Sequence, residues 1–266
     1  MTTNTKTALI TGASSGIGAV YADRLARRGY DLILVARNWK RLEEVAQRVH
    51  AATGRTIELI KSDLAKSEES AKVEARLAAG GIDVLVNNAG FGAVAPLVDS
   101  DINTMTDMID INVTALTRLT YAAVPAFIKQ GSGTLINIAS IVAVGPEILN
   151  GVYGGTKAYV LALTQSLQHE VANKGVRVQA VLPGATATDF WGTAGLSHDN
   201  LPNEIVMRTE DMVDAALAGL DAGEVVTIPP LQDGAEWDTY EAMRKQLSQH
   251  FGHSTSGARY RMRSAA

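Results

Sequence analysis

Residues 6–18, KTALITGASSGIG, decide the fold that the rest of the chain follows. Residues 6–10 are a short apolar run of strand-forming residues, and a helix-period pattern of apolar residues follows the glycines. A strand, a glycine-rich turn and a helix in this order predict a dinucleotide-binding unit. Gly12 permits the tight turn, whereas Gly16 and Gly18 lack a Cβ and let backbone approach a pyrophosphate at the helix start. A plain glycine-rich turn remains the alternative for these glycines alone.

Composition limits the classes of protein to which the chain can belong. With 46% hydrophobic and 20% charged residues, its 266 residues are typical of a soluble globular protein with a sizeable core. The net charge of −4 is spread without long blocks of one sign, which disfavours nucleic acid as a partner. The absence of cysteine excludes disulfides and thiolate chemistry, and we expect no metal site. Because there is no secretion signal or apolar run of membrane-spanning length, we expect a cytoplasmic protein without a membrane partner.

After the first unit, apolar strands alternate with amphipathic helices as far as residue 228. Further strands are predicted at residues 31–36, 56–61, 82–86, 133–139, 176–182 and 225–228, and helices at 39–52, 68–79, 101–129, 153–173 and 209–220. This alternation predicts an α/β fold, a Rossmann-type, doubly wound parallel seven-stranded sheet with helices on both faces.

The sequence predicts three segments of different character. Residues 1–230 are expected to form a single nucleotide-binding and catalytic domain. Residues 231–251 are expected to add a helical extension of that domain, in which aromatic residues at helical spacing face a core rather than form a lid. The polar and basic residues 252–266 are expected to be a disordered tail.

Polar residues and glycines collect where the predicted strands end. In parallel sheets of this kind, ligands bind beyond the carboxyl ends of the strands. The residues at these ends are Thr11, Gly12, Arg37, Asp63, Asn87, Asn88, Ala89, Gly90, Ser140, Pro183 and Gly184. We therefore expect a ligand with many hydrogen-bonding groups at this edge.

Ser140 and Tyr153 fall near each other in the predicted fold, and Lys157 follows Tyr153 by one helical turn. A neighbouring ammonium group stabilises a phenolate and lowers the pKa of a tyrosine. Such a tyrosine can exchange a proton with a hydroxyl or carbonyl, and Ser140 can donate a hydrogen bond to the same oxygen. On their own these residues equally suit a turn serine and a solvated helix face, so the motif needs its context.

The motifs together resemble those of the short-chain dehydrogenase/reductases, which are NAD(P)-dependent oxidoreductases with one Rossmann domain. Residues 11–18 are similar to their cofactor loop, residues 87–90 to their Asn-Asn-Ala-Gly motif, and residues 183–188 to the segment at the nicotinamide end. The resemblance implies a catalytic set made of Asn112, Ser140, Tyr153 and Lys157. It implies cofactor contacts from Gly12, Ser14, Ser15, Gly16, Ile17, Gly18, Arg37, Asp63, Leu64, Asn88, Ala89, Gly90, Tyr153, Lys157, Pro183, Gly184, Thr186 and Thr188.

The resemblance also implies a role for each catalytic residue. Tyr153 is the general acid in reduction and the base in oxidation, and Lys157 lowers its pKa and binds the nicotinamide ribose. Ser140 positions the substrate oxygen, and Asn112 holds a water that relays protons to Lys157. The chain departs from the family in carrying Gly154 and Gly155 after Tyr153, which weakens a helix start or allows close approach of a neighbouring loop or the substrate.

The choice between NAD(H) and NADP(H) depends on the residue at the end of the second strand, because this residue lies beside the adenosine ribose. Ala36 and Arg37 stand there instead of an acid, and a guanidinium binds a 2′-phosphate through charge-assisted hydrogen bonds. We therefore expect NADP(H), although Ser15 stands where many relatives that prefer NADP carry a basic residue.

The substrate is expected to be an apolar ketone or secondary alcohol, because the loops that border the predicted site contain few cations. Their apolar residues are Phe91, Val94, Leu97, Ile141, Val144, Ile148, Leu149, Phe190, Trp191, Leu196 and Met207. A 3-oxoacyl thioester ketoreductase and a dinucleotide sensor without turnover remain the alternatives. The helices at 101–129 and 153–173 are apolar on several faces, which predicts a homodimer or homotetramer.

Overall fold

The computed structural model describes residues 5–194 and 201–260, and it divides after Pro230 into two compact units. In the first unit the strands are β1 (Thr7–Thr11), β2 (Asp31–Ala36), β3 (Ile57–Lys61), β4 (Val84–Asn87), β5 (Gly133–Ile138), β6 (Val176–Val181) and β7 (Val226–Thr227). The α-helices are α1 (Gly16–Arg27), α2 (Trp39–Thr53), α3 (Ser67–Ala78), α4 (Ile102–Ile109), α5 (Leu116–Gln130), α6 (Gly151–Val171), α7 (Phe190–Ala194) and α8 (Thr209–Ala222).

The strands form one parallel sheet with the order β3-β2-β1-β4-β5-β6-β7. The order reverses between β1 and β4, so the carboxyl ends of these two strands flank the crevice in which such sheets bind ligands. The register places Leu9 beside Leu85 and Asn87 beside Asn137. The predicted seven-stranded Rossmann-type fold is therefore confirmed.

Side chains alternate along each strand between two hydrophobic cores, one on each face of the sheet. Ile10 and Leu34 lie in the core beneath α1, α2 and α8, whereas Leu9 and Ile33 lie in the core beneath α3, α5 and α6. Because both faces are covered, continuous apolar runs are stable in the strands, as the sequence indicates.

The long helix predicted at residues 101–129 is interrupted by a π-helical segment. Asp101 caps α4 by accepting a hydrogen bond from the N–H of Thr104 at 2.8 Å. Residues 110–115 then form the π-helix, and α5 continues to Gln130. One inserted residue leaves the apolar pattern nearly intact, so the 3.6-residue period does not reveal it. The π-helix contains Asn112, one of the proposed catalytic residues.

Helix α6 begins earlier and ends earlier than the sequence suggests. It starts at Gly151 with Asn150 as its N-cap, and it ends at Val171 rather than at residue 173. A tight turn follows before Gly175, which has a φ of 73° and packs against the carbonyl of Gly131. Gly175 therefore does not cap α6 directly, because this turn intervenes.

The two glycines that follow Tyr153 have different surroundings. A Cβ on Gly154 would lie 3.1 Å from Cβ of Pro146, whereas a Cβ on Gly155 would meet no heavy atom within 4 Å. Gly154 therefore admits a neighbouring loop, and the described structure gives no contact that requires Gly155.

The second unit contains helix α9 (Gly234–Gln249) and a 3-10 turn at Ala258–Tyr260. Trp237 and Tyr240 stack with their ring centroids 5.2 Å apart, but none of the helix residues is buried. The prediction that this aromatic stripe faces a core is therefore not met in the described part of the chain. Residues 261–266 of the predicted tail lie outside the described residues.

One described stretch, Ile102–Gln130, is long and apolar enough by length and composition to cross a membrane. Core helices pass the same test, and Leu119, Ala123 and Phe127 of this stretch are buried in the core beside β4 and β5. The packing therefore accounts for its hydrophobicity.

Candidate active site

The glycine-rich turn between β1 and α1 forms a cradle with space for a phosphate. Gly12 and Gly16 have φ values of 65° and 50°, which side chains with a Cβ rarely adopt. A Cβ on Gly18 would lie 2.6 Å from the amide nitrogen of Asn88. The half-buried Ser14 and Ser15 make no side-chain hydrogen bond with the described residues, and the first N–H groups of α1 have no acceptor within the helix. These free donors fit the pyrophosphate of a dinucleotide.

Thr11 and Asn88 join the ends of β1 and β4 on the other side of this turn. The hydroxyl of Thr11 accepts hydrogen bonds from the N–H groups of Asn88 and Ala89 at 2.9 and 3.0 Å. The Asn88 amide donates to the carbonyls of Thr11 and Gly12 at 2.8 and 3.3 Å. The Asn-Asn-Ala-Gly segment is thus locked against the cradle, and its side chains hold the turn in shape.

The structure brings Ser140, Tyr153 and Lys157 together at the carboxyl end of β5. Ser140 follows β5 and hydrogen-bonds the carbonyl of Pro183 at 3.4 Å. Tyr153 lies in the first turn of α6 and is 6% exposed. The ammonium nitrogen of Lys157 lies 5.8 Å from the centroid of the Tyr153 ring and donates to the carbonyl of Ile138 at 2.9 Å.

Burial controls the protonation of both groups in the protein alone. Desolvation raises the pKa of Tyr153 to about 12, and a hydrogen bond with Ser140 opposes this shift. Desolvation lowers the pKa of Lys157 to about 8. The expected lowering of the tyrosine pKa is therefore wrong for the protein without ligand, because Lys157 bonds to a backbone carbonyl and the loss of water dominates.

Asn112 anchors the loop that follows β4. Its Oδ1 accepts from the N–H of Phe91 at 3.1 Å, and its Nδ2 donates to the carbonyl of Phe91 at 2.8 Å and to the hydroxyl of Thr156 at 3.1 Å. A Cβ on Gly90 would lie 2.6 Å from the same Oδ1, so glycine is required there. The side chain is thus occupied by these backbone and hydroxyl partners, and the expected water relay through Asn112 stays a prediction.

A buried polar network behind the site was not predicted. The Asn87 amide donates to Thr120 at 3.2 Å and to Asn137 at 3.0 Å, and Asn137 donates to Thr164 on α6 at 2.9 Å. The network ties β4 and β5 to α5 and α6 just below Ile138, whose carbonyl holds Lys157. The only sequence signal is an asparagine inside the apolar strand β5, where a polar side chain needs a partner.

The other end of the site is more open and polar. Arg37 is exposed after β2, and its guanidinium makes no ion pair or hydrogen bond with the described residues. Asp63 follows β3 and accepts from the N–H of Ala65 at 3.3 Å. The side chain of Leu64 is buried in the core, so only its backbone can face a ligand. This end therefore offers a cation at the position that the sequence predicts for the adenosine ribose.

Residues 183–191 pack across the glycine cradle. The methyl carbon of Thr188 would lie 3.2 Å from a Cβ on Gly16, and Thr186 accepts a hydrogen bond from the indole of Trp191 at 2.8 Å. Asp189 pairs with Arg41 of α2 at 2.8 Å, which links this segment to the region around Arg37. The predicted cofactor residues Pro183, Gly184, Thr186 and Thr188 therefore lie on one connected segment above the turn that holds Ile17 and Gly18.

An apolar cluster surrounds Tyr153, and we name it the Tyr153 cluster. It consists of Phe91, Ala93, Met105, Met108, Val142, Leu149, Val152, Tyr153 and Phe190. The ring of Phe190 lies 5.8 Å from that of Tyr153 and meets Trp191 edge-on at 5.6 Å. Apart from Lys157, cations are scarce around this cluster, because the loops at residues 91–97 and 141–152 that border it contain no lysine or arginine.

The apolar loop residues that are expected to border the substrate divide into those beside Tyr153 and those elsewhere. Phe91, Leu149 and Phe190 belong to the Tyr153 cluster, and Trp191 is buried beside it. Leu97, Ile148 and Val144 are exposed, Val94 and Ile141 are half-buried outside the cluster, Met207 packs in the core on the opposite face of the sheet, and Leu196 lies outside the described residues. Sequence reasoning misses Met105 and Met108 as members of the cluster, since the turn of the chain that brings α4 to Tyr153 is not visible in a local pattern.

Comparison with known proteins agrees with this geometry. The family model described as short chain dehydrogenase matches residues 6–198. A short-chain dehydrogenase from Sphingobium yanoikuyae, solved in complex with NADPH, shares 45% identity and a TM-score of 0.93, with 96% of this chain and 100% of that chain covered.

Two further proteins bear on the substrate. The bulky-bulky ketone specific alcohol dehydrogenase from Comamonas testosteroni shares 42% identity and a TM-score of 0.89, with 97% of this chain and 99% of that chain covered. The very-long-chain 3-oxoacyl-CoA reductase-B of Danio rerio is 34% identical over 220 residues, which cover 80% of this chain and 68% of that protein.

Proposed function

The chain belongs to the short-chain dehydrogenase family, and from this premise we propose that it reduces a bulky apolar ketone, or oxidises the matching secondary alcohol, with NADP(H). The observation that carries the proposal is the position of the Tyr153 hydroxyl between Ser140 and an apolar cluster. A small polar substrate would leave the half-buried Phe91, Leu149 and Phe190 of that cluster partly exposed, whereas aryl or long alkyl groups would cover them. The similarity to an enzyme named for bulky-bulky ketones supports the same substrate class.

The mechanism follows from the protonation of the chain's own groups. With a pKa of about 12, the Tyr153 phenol is protonated near neutral pH and can donate its proton to a substrate carbonyl oxygen. Ser140 donates a hydrogen bond to the same oxygen and so stabilises the negative charge that develops there. Lys157, with a pKa of about 8, is mostly charged at neutral pH, and its attraction for the phenolate that forms when Tyr153 gives up its proton favours that proton transfer. When bound, NADPH would supply the hydride for the substrate carbon.

NADP(H) is proposed rather than NAD(H) because of the free cation at the adenosine end. Arg37 has no acidic neighbour after β2 and is exposed, so its guanidinium can form two hydrogen bonds with a 2′-phosphate. The residues around Gly12, Gly16 and Gly18 would hold the pyrophosphate, Asp63 and the Leu64 backbone the adenine, and Asn88, Ala89 and Gly90 would border the nicotinamide ribose.

A spectrophotometric screen tests this proposal directly. Purified protein is mixed with NADPH and a series of ketones that runs from acetone through acetophenone to 1-phenylbutan-1-one, and the loss of reduced-nicotinamide absorbance is followed. We expect kcat/KM to rise with the size of both substituents. Turnover that is highest for acetone would contradict the proposal.

A 3-oxoacyl thioester is the second candidate, because a relative with that activity in its name shares 34% identity. Such a substrate carries phosphate groups that need cations, whereas the loops at residues 91–97 and 141–152, which border the Tyr153 cluster, contain no lysine or arginine. Including a 3-oxoacyl-CoA in the same screen separates the two, since the bulky-ketone proposal predicts the lower kcat/KM for the thioester. A sensor without turnover would reduce no compound in the screen.

We also propose a cytoplasmic homodimer, or a tetramer made of two such dimers, through the outer faces of α5 and α6. Tyr121 is 74% exposed on α5 and lines a shallow groove between α3 and α5. The other residues of the groove are Ala71, Ala75, Ala78, Thr117, Ala122 and the ion pair of Glu74 with Arg118. Tyr159 on α6 bonds to Thr117 of α5 at 2.7 Å and completes the same surface. A second copy would bury these side chains. Sedimentation of a stable monomer at micromolar concentration would refute the assembly.

A further inference from the structure

Asn150 is a buried polar residue outside the proposed catalytic set. It is 5% exposed and stands directly before α6. Its Oδ1 accepts hydrogen bonds from the N–H groups of Val152 at 2.9 Å and Tyr153 at 3.4 Å. These N–H groups have no partner within the helix, so the cap fixes the turn that presents the phenol.

The other end of the same amide holds a different part of the chain. Its Nδ2 donates to the carbonyl of Ala95 at 2.6 Å and to the hydroxyl of Ser100 at 3.1 Å. Ser100 in turn donates to the carbonyl of Pro96 at 2.7 Å. Both N–H donors and the oxygen acceptor of the amide therefore have hydrogen-bond partners. These hydrogen bonds connect residues 95–100 to the start of α6.

Residues 91–100 form one wall of the Tyr153 cluster and are held at both ends. Phe91 and Ala93 pack in the cluster, and Asn112 binds both backbone groups of Phe91. Asn150 binds the same segment at Ala95 and, at its far end, at Ser100. The position of the wall relative to Tyr153 thus depends on two asparagines, one in the π-helix and one before α6.

Residue 150 must be asparagine because of its hydrogen bonds to Ala95 and Ser100, which we call the tether, and not because of its role as the N-cap. Serine, threonine and aspartate also cap helices well. Serine and threonine are too short to reach Ala95 while they cap α6, and an aspartate carboxylate has no N–H to donate. Only asparagine serves both contacts that the structure shows.

We infer that Asn150 is a positioning residue for substrate specificity, because it sets the distance between Tyr153 and the wall formed by residues 91–100. The inference rests on the proposed function, since that wall is where a bulky ketone must pack. Loss of the tether frees the wall but leaves the cap, the catalytic residues and the cofactor cradle in place. Asn150 therefore controls how tightly a large substrate is held.

The Asn150→Ser variant tests the inference, because serine keeps a cap and removes the tether. We expect KM for 1-phenylbutan-1-one to rise by about 5-fold or more, as for a buried carbonyl that loses its donor, with a smaller change in kcat. For acetone, which cannot span the cluster, we expect no change in KM. Hydrogen exchange followed by mass spectrometry should be faster in residues 92–100 and unchanged in the β1–α1 turn.

Two further variants keep the test decisive. Ser100→Ala removes one of the two tether contacts and should show a smaller effect in the same direction, and it carries the test if Asn150→Ser does not fold. Asn103→Ser makes the same chemical change at an exposed position of α4 and should behave as the parent protein. The exchange measurement requires no turnover, so an inactive parent protein would refute the proposed function without deciding the tether. Unchanged exchange in residues 92–100, or equal KM changes for both ketones, would overturn the inference.

Discussion

The two halves of the site are held in shape by different means. In the cofactor half, from β1 to β3, backbone geometry is decisive: Gly12 and Gly16 adopt positive φ, and Gly18 packs where no Cβ fits. In the substrate half, loops with little regular structure are held by the side-chain amides of Asn112 and Asn150. Where backbone packs closely, few residue types other than glycine fit. A loop that is held by an asparagine amide can change its apolar residues and still keep the hydrogen bonds that hold it. The substrate half is therefore the part in which specificity can vary.

Replacing Tyr153 with phenylalanine is expected to have the largest effect, and this effect should be confined to the substrate half. The variant removes only the proton that the phenol donates, so kcat should fall by ~10²–10⁴-fold on a confirmed ketone. NADPH affinity, measured by nucleotide fluorescence, should stay at the parent value because the cradle is unaffected. A near-normal kcat would show that the substrate half does not use this tyrosine.

The cofactor half is tested by the double variant Ala36→Asp with Arg37→Ser. The new carboxylate repels a 2′-phosphate, and the lost guanidinium removes its hydrogen bonds, so the kcat/KM preference for NADPH over NADH should fall by about 10- to 150-fold. Arg48→Ser removes the same charge at an exposed position further along α2 and should keep the preference. Equal kcat/KM for the two cofactors in the parent protein would show that Arg37 does not read the phosphate.

Lys157 is a further difference between the two halves, because it is a buried charge in the substrate half. Its pKa of about 8 lies below the 10.5 of an exposed lysine, so the folded protein binds fewer protons than the unfolded chain between these values. The free energy of unfolding therefore rises with pH in this window, and the contribution is lost as pH falls through about 8.

Lys157→Met should remove this pH dependence. In urea denaturation without ligand, we expect the difference in free energy of unfolding between the variant and the parent protein to narrow by ~2 kcal/mol from pH 8 to about pH 9.5. The series stops there because tyrosines of the unfolded chain ionise near pH 10. A difference that is constant over this range would show that the ammonium is not buried.

The smallest expected effect comes from the two glycines of α6. Gly155→Ala should raise the free energy of unfolding by ~0.5–1 kcal/mol, because alanine favours the helix and its Cβ meets no atom. Gly154→Ala should lower it, since the new Cβ would crowd Pro146 at 3.1 Å. The midpoints of urea denaturation compare the two variants directly, and equal shifts would contradict the difference in packing.

The sequence predicts the cofactor half better than the substrate half for a physical reason. Strands β1 and β2 and the glycine turn carry local signals, namely an apolar run, residues with special φ and a helix period. The shape of the substrate half depends on contacts distant in sequence, such as Asn150 with Ala95 and Met108 with Tyr153. Asparagine is a favoured N-cap residue, so the capping role of Asn150 is local in sequence, whereas its second partner, Ala95, is distant. The raised pKa of Tyr153 likewise depends on burial, which a motif does not encode.

The ion pair between Arg41 and Asp189 has a consequence for protein engineering. It joins the helix that follows Arg37 to the segment that carries Phe190 into the Tyr153 cluster. A redesign of coenzyme preference that replaces the basic residues after β2 as a group would also remove this contact between α2 and the segment that carries Phe190. A redesign that keeps Arg41 changes the coenzyme end of the site and leaves the contact in place.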